Sequence, residues 1–158
     1  SSGRSSTRLP GTIRRSIWRN GAPRPRLMPA CGIDTSIFVR LLTGLPAPDY
    51  QTTVKRLAAL RASQPEHIVV ANIVIAEAYA VLQHHYGLGK PDARTAIISV
   101  LTSGLIEPVQ GDAVLAALRE TREPGLTDRL IALDYVQQRA TVLTLDRKMA
   151  ALPGCERL

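Results

Sequence analysis

Most of the 13 acidic side chains lie in polar stretches where a solvated carboxylate is ordinary, but four do not. Asp34 and Asp146 follow directly on the β-prone runs Cys31-Gly32-Ile33 and Thr141-Val142-Leu143-Thr144-Leu145. In open parallel α/β sheets, ligands bind beyond the carboxyl ends of the strands, so both side chains are placed at the default site. Each Asp could instead cap the helix that follows it. Glu77 is the one charge in Ile73–Leu82, and a helix that is apolar all round is a buried helix. An ionised carboxylate there costs several kcal/mol, by about the usual desolvation penalty, unless it is paired or bound to a cation. A salt bridge to a buried Arg or a protonated Glu would also answer; a metal site explains it better. Asp128, just after Thr127, falls in the first turn of a helix, where the helix dipole itself favours negative charge.

Were the four to converge, their repulsion would define the chemistry. Two carboxylates at 4 Å repel by about 4 kcal/mol at an effective dielectric near 20. Without a cation, some of them must take up protons. Hard oxygen donors with no His or Cys beside them select Mg²⁺ or Mn²⁺ over zinc. Such a cluster suits phosphodiester hydrolysis. The acids stand tens of residues apart, so convergence is left to the tertiary fold.

Short apolar runs alternate with helical periods along the elements that must position them. Strands are expected at Cys31–Ile33, Ile68–Val70, Leu105–Val109 and Thr141–Leu145. Helices are expected after Asp34, from near Asp49 towards Pro65, from Ile73 to about His85 with Asn72 as cap, and from Asp92 to Thr102. Two more run from Asp112 to about Arg122 and, capped by Thr127, through Arg139. This alternation argues for a parallel sheet with helices on both faces.

At 158 residues the chain fits one domain, and 45% hydrophobic with 21% charged content excludes wholesale disorder. No apolar run approaches the ~18 residues of a membrane span. Cys31 and Cys155 are too far apart in sequence to suggest a zinc or disulfide motif, which favours a reducing compartment. The net charge of +7 is confined to one end: residues 1–27 carry Arg4, Arg8, Arg14, Arg15, Arg19, Arg24 and Arg26 and no acid. From residue 28 on, 13 basic and 13 acidic side chains balance, so overall charge gives no argument for a nucleic-acid groove in the folded body. Residues 1–27, rich in Ser, Gly, Pro and Arg, are expected to be a disordered basic leader of tag, upstream or non-native origin, with residues 28–158 as the domain. A transit peptide or an arm touching RNA phosphates is the alternative.

In order along the chain, these acids and their neighbours resemble the PIN-domain ribonucleases of the VapC type, toxins of toxin–antitoxin pairs. The carriers are Gly32-Ile33-Asp34-Thr35-Ser36 with Val39-Arg40-Leu41-Leu42; Ile75-Ala76-Glu77 with Val81-Leu82; Leu126-Thr127-Asp128; and Thr144-Leu145-Asp146-Arg147. The resemblance implies a three-layer α/β/α sandwich around a central, mainly parallel sheet of about four to five strands. It implies that Asp34, Glu77, Asp128 and Asp146 bind Mg²⁺ or Mn²⁺ and are the catalytic acids, with Ser36 and Thr144 as supporting hydroxyls. It further implies RNA as substrate, a homodimer, a cognate VapB-like antitoxin through which operon DNA is met indirectly, and a cytoplasmic place of action. Arg129 departs from the small residue that many relatives carry after the third acid. It could pair with a site carboxylate, weaken metal binding or touch RNA phosphate; Arg147 and Lys148 could steer phosphate too.

Other features carry less. Adjacent His84 and His85 point to different sides of a helix. There is no phosphate loop of the G-x-x-x-x-G-K-[ST] type. Tyr50, Tyr79, Tyr86 and Tyr135 are too scattered to form a base-stacking platform, Trp18 lies in the leader, and Asp134 reads as a surface or packing residue. A haloacid-dehalogenase type of phosphatase needs a second Asp two residues after the first, where this chain has Ser36. A PIN scaffold that binds RNA or a partner without cutting is encouraged only by Arg129.

Overall fold

The strand β1, Ala30–Ile33, ends one residue before Asp34, and the chain turns at once into α1, Thr35–Thr43. The structure is a computed structural model that describes residues 30–63 and 67–158; the expected leader, residues 1–27, lies outside it. Phe38 and Leu41 form the buried stripe of α1. Gly44, at φ 67°, stops it in the left-handed conformation that glycine adopts without a Cβ clash, and its N–H returns to the Arg40 carbonyl.

After α2 (Ala47–Ser63), strand β2 (His67–Val70) lies parallel to β1 in the register Ala30 to His67 and Ile33 to Val70. Helices α3 (Asn72–His84) and α4 (Lys90–Leu101) lead to β3, Glu107–Pro108, which pairs with Val69 and Val70. Proline is admissible in β3 because this strand is the edge of the order β1-β2-β3. Helices α5 (Asp112–Arg119) and α6 (Leu126–Gln137) precede β4 (Val142–Thr144), a 3₁₀ turn at Met149–Ala151 and β5 (Cys155–Arg157). β4 and β5 are also parallel and form a separate two-stranded sheet. The fold is thus the expected mixed α/β type with parallel strands and flanking helices, its strands divided three and two. Phe38, Ile68, Val70, Ile75, Leu82, Ile97, Leu118 and Leu130 fill the core between sheet and helices.

Several elements differ from the sequence expectation. The strand β5 and the turn before it are not signalled by any periodic run. Neither Asn72, Asp112 nor Thr127 is a cap; Ala71, Gly111 and Gly125 occupy those positions. Asn72 is drawn inward instead, with its Nδ2 donating to the Leu130 carbonyl (3.3 Å) and to Asp134 Oδ1 (2.9 Å). Gln110 donates to the same Asp134 oxygen at 2.7 Å, so Asp134 is a packing residue tying α6 to α3 and to the loop after β3. α5 ends at Arg119, and residues 120–125 form a loop.

α3 also corrects the reading of its own polarity. Ile75, Ala78, Tyr79 and Leu82 are buried, at the helical spacing of a single core-facing stripe. Ile73, by contrast, is 72% exposed, and Glu77, one turn further on, shares that open face. An apolar sequence all round this helix does not mean burial all round, because α1, α4 and α6 cover only part of its circumference.

Candidate active site

Asp34 is placed by the end of β1 and held by the start of α1. Its Oδ1 accepts from the Ile37 N–H at 3.1 Å and from the Ser36 hydroxyl at 2.7 Å. It therefore does cap α1, and the Ser36 hydroxyl bonds to it. The Ser36 hydroxyl, then the Ile37 amide, hold the Asp34 carboxyl below its usual pKa, since both bonds favour the charged form. Glu77 comes to it through Thr35, whose hydroxyl donates to Glu77 Oε2. α1 and α3 pack side by side, which brings residues 42 positions apart into contact. Glu77 is exposed, so the expectation of a buried carboxylate is overturned. Thr35 is a site residue that the sequence reading passed over, although it stands between Asp34 and Ser36.

Asp146 repeats the Asp34 arrangement at the end of β4. Its Oδ1 accepts from the backbone N–H groups of Lys148 (2.6 Å) and Met149 (2.9 Å), which cap the 3₁₀ turn. These two amides, with the Lys148 charge, hold the Asp146 carboxyl below its usual pKa. Thr144 lies beside it: its Oγ1 accepts the Asp146 N–H at 3.0 Å.

Asp128 lies in the first turn of α6 and is the most buried of the four, between solvent and core. Burial, followed by the charges of Asp146 and Glu123, pushes its pKa up. That coupling places Asp128, Asp146 and Glu123 in a common field. Glu123, on the α5–α6 loop, is an acid no sequence signal could have added, because only the loop's path brings it near. Burial and the Asp128 charge likewise raise the Cys155 thiol on β5, and no disulfide joins Cys155 to Cys31.

The acids thus meet as two pairs. Asp34 and Glu77 accept from adjacent hydroxyls of α1, those of Ser36 and Thr35, and Asp128 and Asp146 share a field. Among the described residues, no three His, Cys, Asp or Glu side chains stand close enough to hold one ion together. In chemistry the donors fit a hard divalent cation: all are carboxylate oxygens, and a cation would offset the burial and the neighbouring charges that raise Asp128.

Arg129 does not pair with a site carboxylate. Its guanidinium turns back to the α5–α6 loop, with Nε donating to the Pro124 carbonyl (3.0 Å) and Nη2 to those of Arg122 (3.0 Å) and Glu123 (3.4 Å). Lys148 is exposed, and its Nζ lies 3.8 Å from Glu123 Oε1; Arg147 is exposed beside it.

Among the described residues no helix is long and apolar enough to cross a membrane. No curated protein matches the chain significantly. The family model for the PIN domain matches residues 32–154, a span that begins in β1 and closes just before β5, with all four acids inside it. PIN domains are commonly metal-dependent nucleases and usually use divalent metals. With its parallel strands and its acids at strand ends and helix starts, this chain belongs to the PIN-domain family.

Proposed function

We propose that the protein is a metal-dependent endoribonuclease of the VapC type, the toxin of a toxin–antitoxin pair acting in the cytoplasm. The observation that carries this reading is the PIN-domain match over residues 32–154, which encloses all four acids; beside it, burial and then the charges of Asp146 and Glu123 raise the Asp128 carboxyl, a penalty a divalent cation would relieve. Asp34 and Glu77 on one side, and Asp128 and Asp146 on the other, would hold Mg²⁺ or Mn²⁺. When bound, such an ion supplies Lewis acidity and an activated water for phosphodiester hydrolysis.

The chain's own residues supply the orientation. Ser36 and the Ile37 amide fix Asp34 with one oxygen, and the Lys148 and Met149 amides fix Asp146 in the same way. Thr35 sets the direction of the Glu77 carboxylate. Burial, then the charges of Asp146 and Glu123, raise the Asp128 carboxyl, so it holds a proton more readily than Asp34 or Asp146, both of which are lowered. Arg147 and Lys148 are exposed next to Asp146, where they can meet RNA phosphates.

The homodimer and the antitoxin belong to the same reading. The exposed side chains of Ile73 (72%), Tyr135 (45%) and Ile131 (39%) share helices with Glu77 and Asp128, and support a partner lying over the acidic face. Arg129 was the feature favouring a silent scaffold, and its commitment to loop carbonyls removes that support.

The test is incubation of total RNA with purified protein in Mn²⁺ or Mg²⁺ and in EDTA, with Asp34→Asn in parallel. Cleavage that requires the metal and is lost in the variant is expected. Absence of both cleavage and Mn²⁺ binding would overturn the proposal.

A further inference from the structure

Helices α3 and α6 carry one acid from each pair, Glu77 and Asp128, and neither has a polar face that would select its rotation. On α6, Leu126, Leu130 and Ala132 are buried while Ile131, Tyr135 and Val136 are exposed, so apolar side chains lie all round it. On α3, Ile75, Ala78 and Leu82 are buried while Ile73 is exposed. An apolar stripe normally tells a helix which way to turn; a helix apolar on every side could bury another face at little loss. The rotation of α6 against α3 therefore needs a contact with a direction.

Asn72 makes that contact. It opens α3, two residues past the end of β2, and is 4% exposed. Ile33 pairs with Val70 across the parallel strands, so Asn72 leaves the same sheet edge as Asp34. Its Nδ2 donates to the Leu130 carbonyl (3.3 Å) and to Asp134 Oδ1 (2.9 Å), both on α6. Gln110, just past β3, donates to the same Asp134 oxygen at 2.7 Å. Among the described residues, the side-chain hydrogen bonds from α3 to α6 are those of Asn72.

The other polar atom of Asn72 shows that the amide is a poor choice for stability. Its Oδ1 is buried and has no hydrogen-bond partner among the described residues. Leucine has nearly the shape of asparagine or aspartate and leaves no such acceptor, and exchanging both members of a buried polar pair for apolar groups is often neutral or stabilising. What the amide supplies and leucine does not is a fixed direction, as a single buried polar residue does when it sets the register of packed helices.

We propose that Asn72 is a positioning residue, a polar pin that with Asp134 fixes the rotation and height of α6 and so sets where Asp128 stands for the metal. This rests on the nuclease reading. Asp134 lies six residues beyond Asp128, about 9 Å along the helix, so a slip of α6 is carried to Asp128 in full.

Mn²⁺ affinity of the full chain is read by calorimetry and melting in EDTA, so neither depends on RNA cleavage. Asn72→Leu combined with Asp134→Leu is expected to melt at or above the parent's temperature, yet to bind Mn²⁺ about tenfold more weakly. Asp134→Asn keeps an oxygen for Asn72 and Gln110 and should match the parent in both; lost affinity there would assign the effect to the Asp134 charge and overturn the pin. Asp134→Leu alone leaves Asn72 its Leu130 carbonyl and should bind Mn²⁺ a few-fold more weakly, and it decides the matter should the double variant not fold. A purely structural role would lower the melting temperature and leave the Mn²⁺ affinity of the folded protein unchanged. If the parent binds Mn²⁺ and cuts RNA while the folded leucine variants bind Mn²⁺ equally well, the pin is overturned and the nuclease reading stands. If the parent neither binds Mn²⁺ nor cuts RNA, both fall.

Discussion

The two pairs of acids are built by different means. Asp34 and Glu77 hang from the three-stranded sheet: β1 is laddered to β2 over four residue pairs, and α1 and α3 are fixed on it by buried Phe38, Ile75 and Leu82. Asp34 is held by the Ser36 hydroxyl and Glu77 by that of Thr35, adjacent residues at the start of α1. Asp128 stands on α6, seated by buried Leu126 and Leu130, and Asp146 follows β4, laddered to β5 over three residue pairs; side chains reaching carbonyls clamp this half further. Asn72 grips α6, Arg94 caps α5, and Arg129 binds three carbonyls of the α5–α6 loop. Both halves therefore rest on a strand ladder and core packing, and the second adds polar clamps. A clamp is removed by one substitution, whereas a ladder is not.

The largest expected effect tests whether both halves are needed. Asp34→Asn and Asp146→Asn should each lower metal-dependent RNA cleavage by on the order of a hundredfold or more, read by gel in Mn²⁺. Asn caps a helix as well as Asp does, so thermal stability should stay within about 0.5 kcal/mol. Asp34→Ala should in addition cost about 1 kcal/mol of stability through the lost cap. Equal cleavage by Asp146→Asn and the parent would confine the site to the first pair.

Arg129→Ala tests the clamp. It leaves the carbonyls of Arg122, Glu123 and Pro124 without their donor and should destabilise the protein by about 1–2 kcal/mol in urea. Arg129→Lys should not restore it, because a single ammonium cannot replace the planar fork. A drop in activity smaller than the drop in stability would show that the α6 start is held by packing instead.

Thr35→Val tests the hydroxyl that holds Glu77 in the first pair. Cleavage should fall up to tenfold, with stability changed by about 1 kcal/mol or less, since the threonine–glutamate bond is exposed. Glu77→Gln should leave stability nearly unchanged for the same reason, while weakening Mn²⁺ binding.

The smallest effect is a pH dependence. The Asp34 carboxyl is lowered in the folded state, so its stabilising contribution is present above the ordinary carboxylate range and is lost as pH falls through its folded value. Asp128 is raised, so its ionised form opposes folding above that raised value, and the penalty disappears as pH falls through it. Asp128→Asn should therefore raise the metal-free melting temperature slightly at pH 7 and not at pH 3, whereas Asp34→Asn should not raise it at either. The opposite order would reverse the assignment of which half carries the repulsion.

Much of the first half was legible in the sequence. Asp34 after a short apolar strand, Ser36 two residues on, and a lone acid in the run Ile73–Leu82 are local patterns. So were the strands β1 and β2 and the helices between, to within a few residues. The exposure of Glu77 was not, because hydropathy records what a helix can bury and not which neighbours reach each of its faces. The second half was less legible. β5 is three residues long with two of them exposed, and no pattern announces such a strand. Nor could sequence tell that Arg129 would fold back on its own loop, since its carbonyl partners lie five to seven residues away on an irregular path.

The sequence by itself determined the order of the elements, the parallel α/β class and the four acids, because strand runs, helical periods and charges in apolar stretches are local properties. Tertiary structure alone decided that the acids meet two by two, that Thr35 and Glu123 join them, and that Asn72 ties α3 to α6. Each of these depends on helix faces and loop paths set by contacts tens of residues apart, which no local pattern encodes.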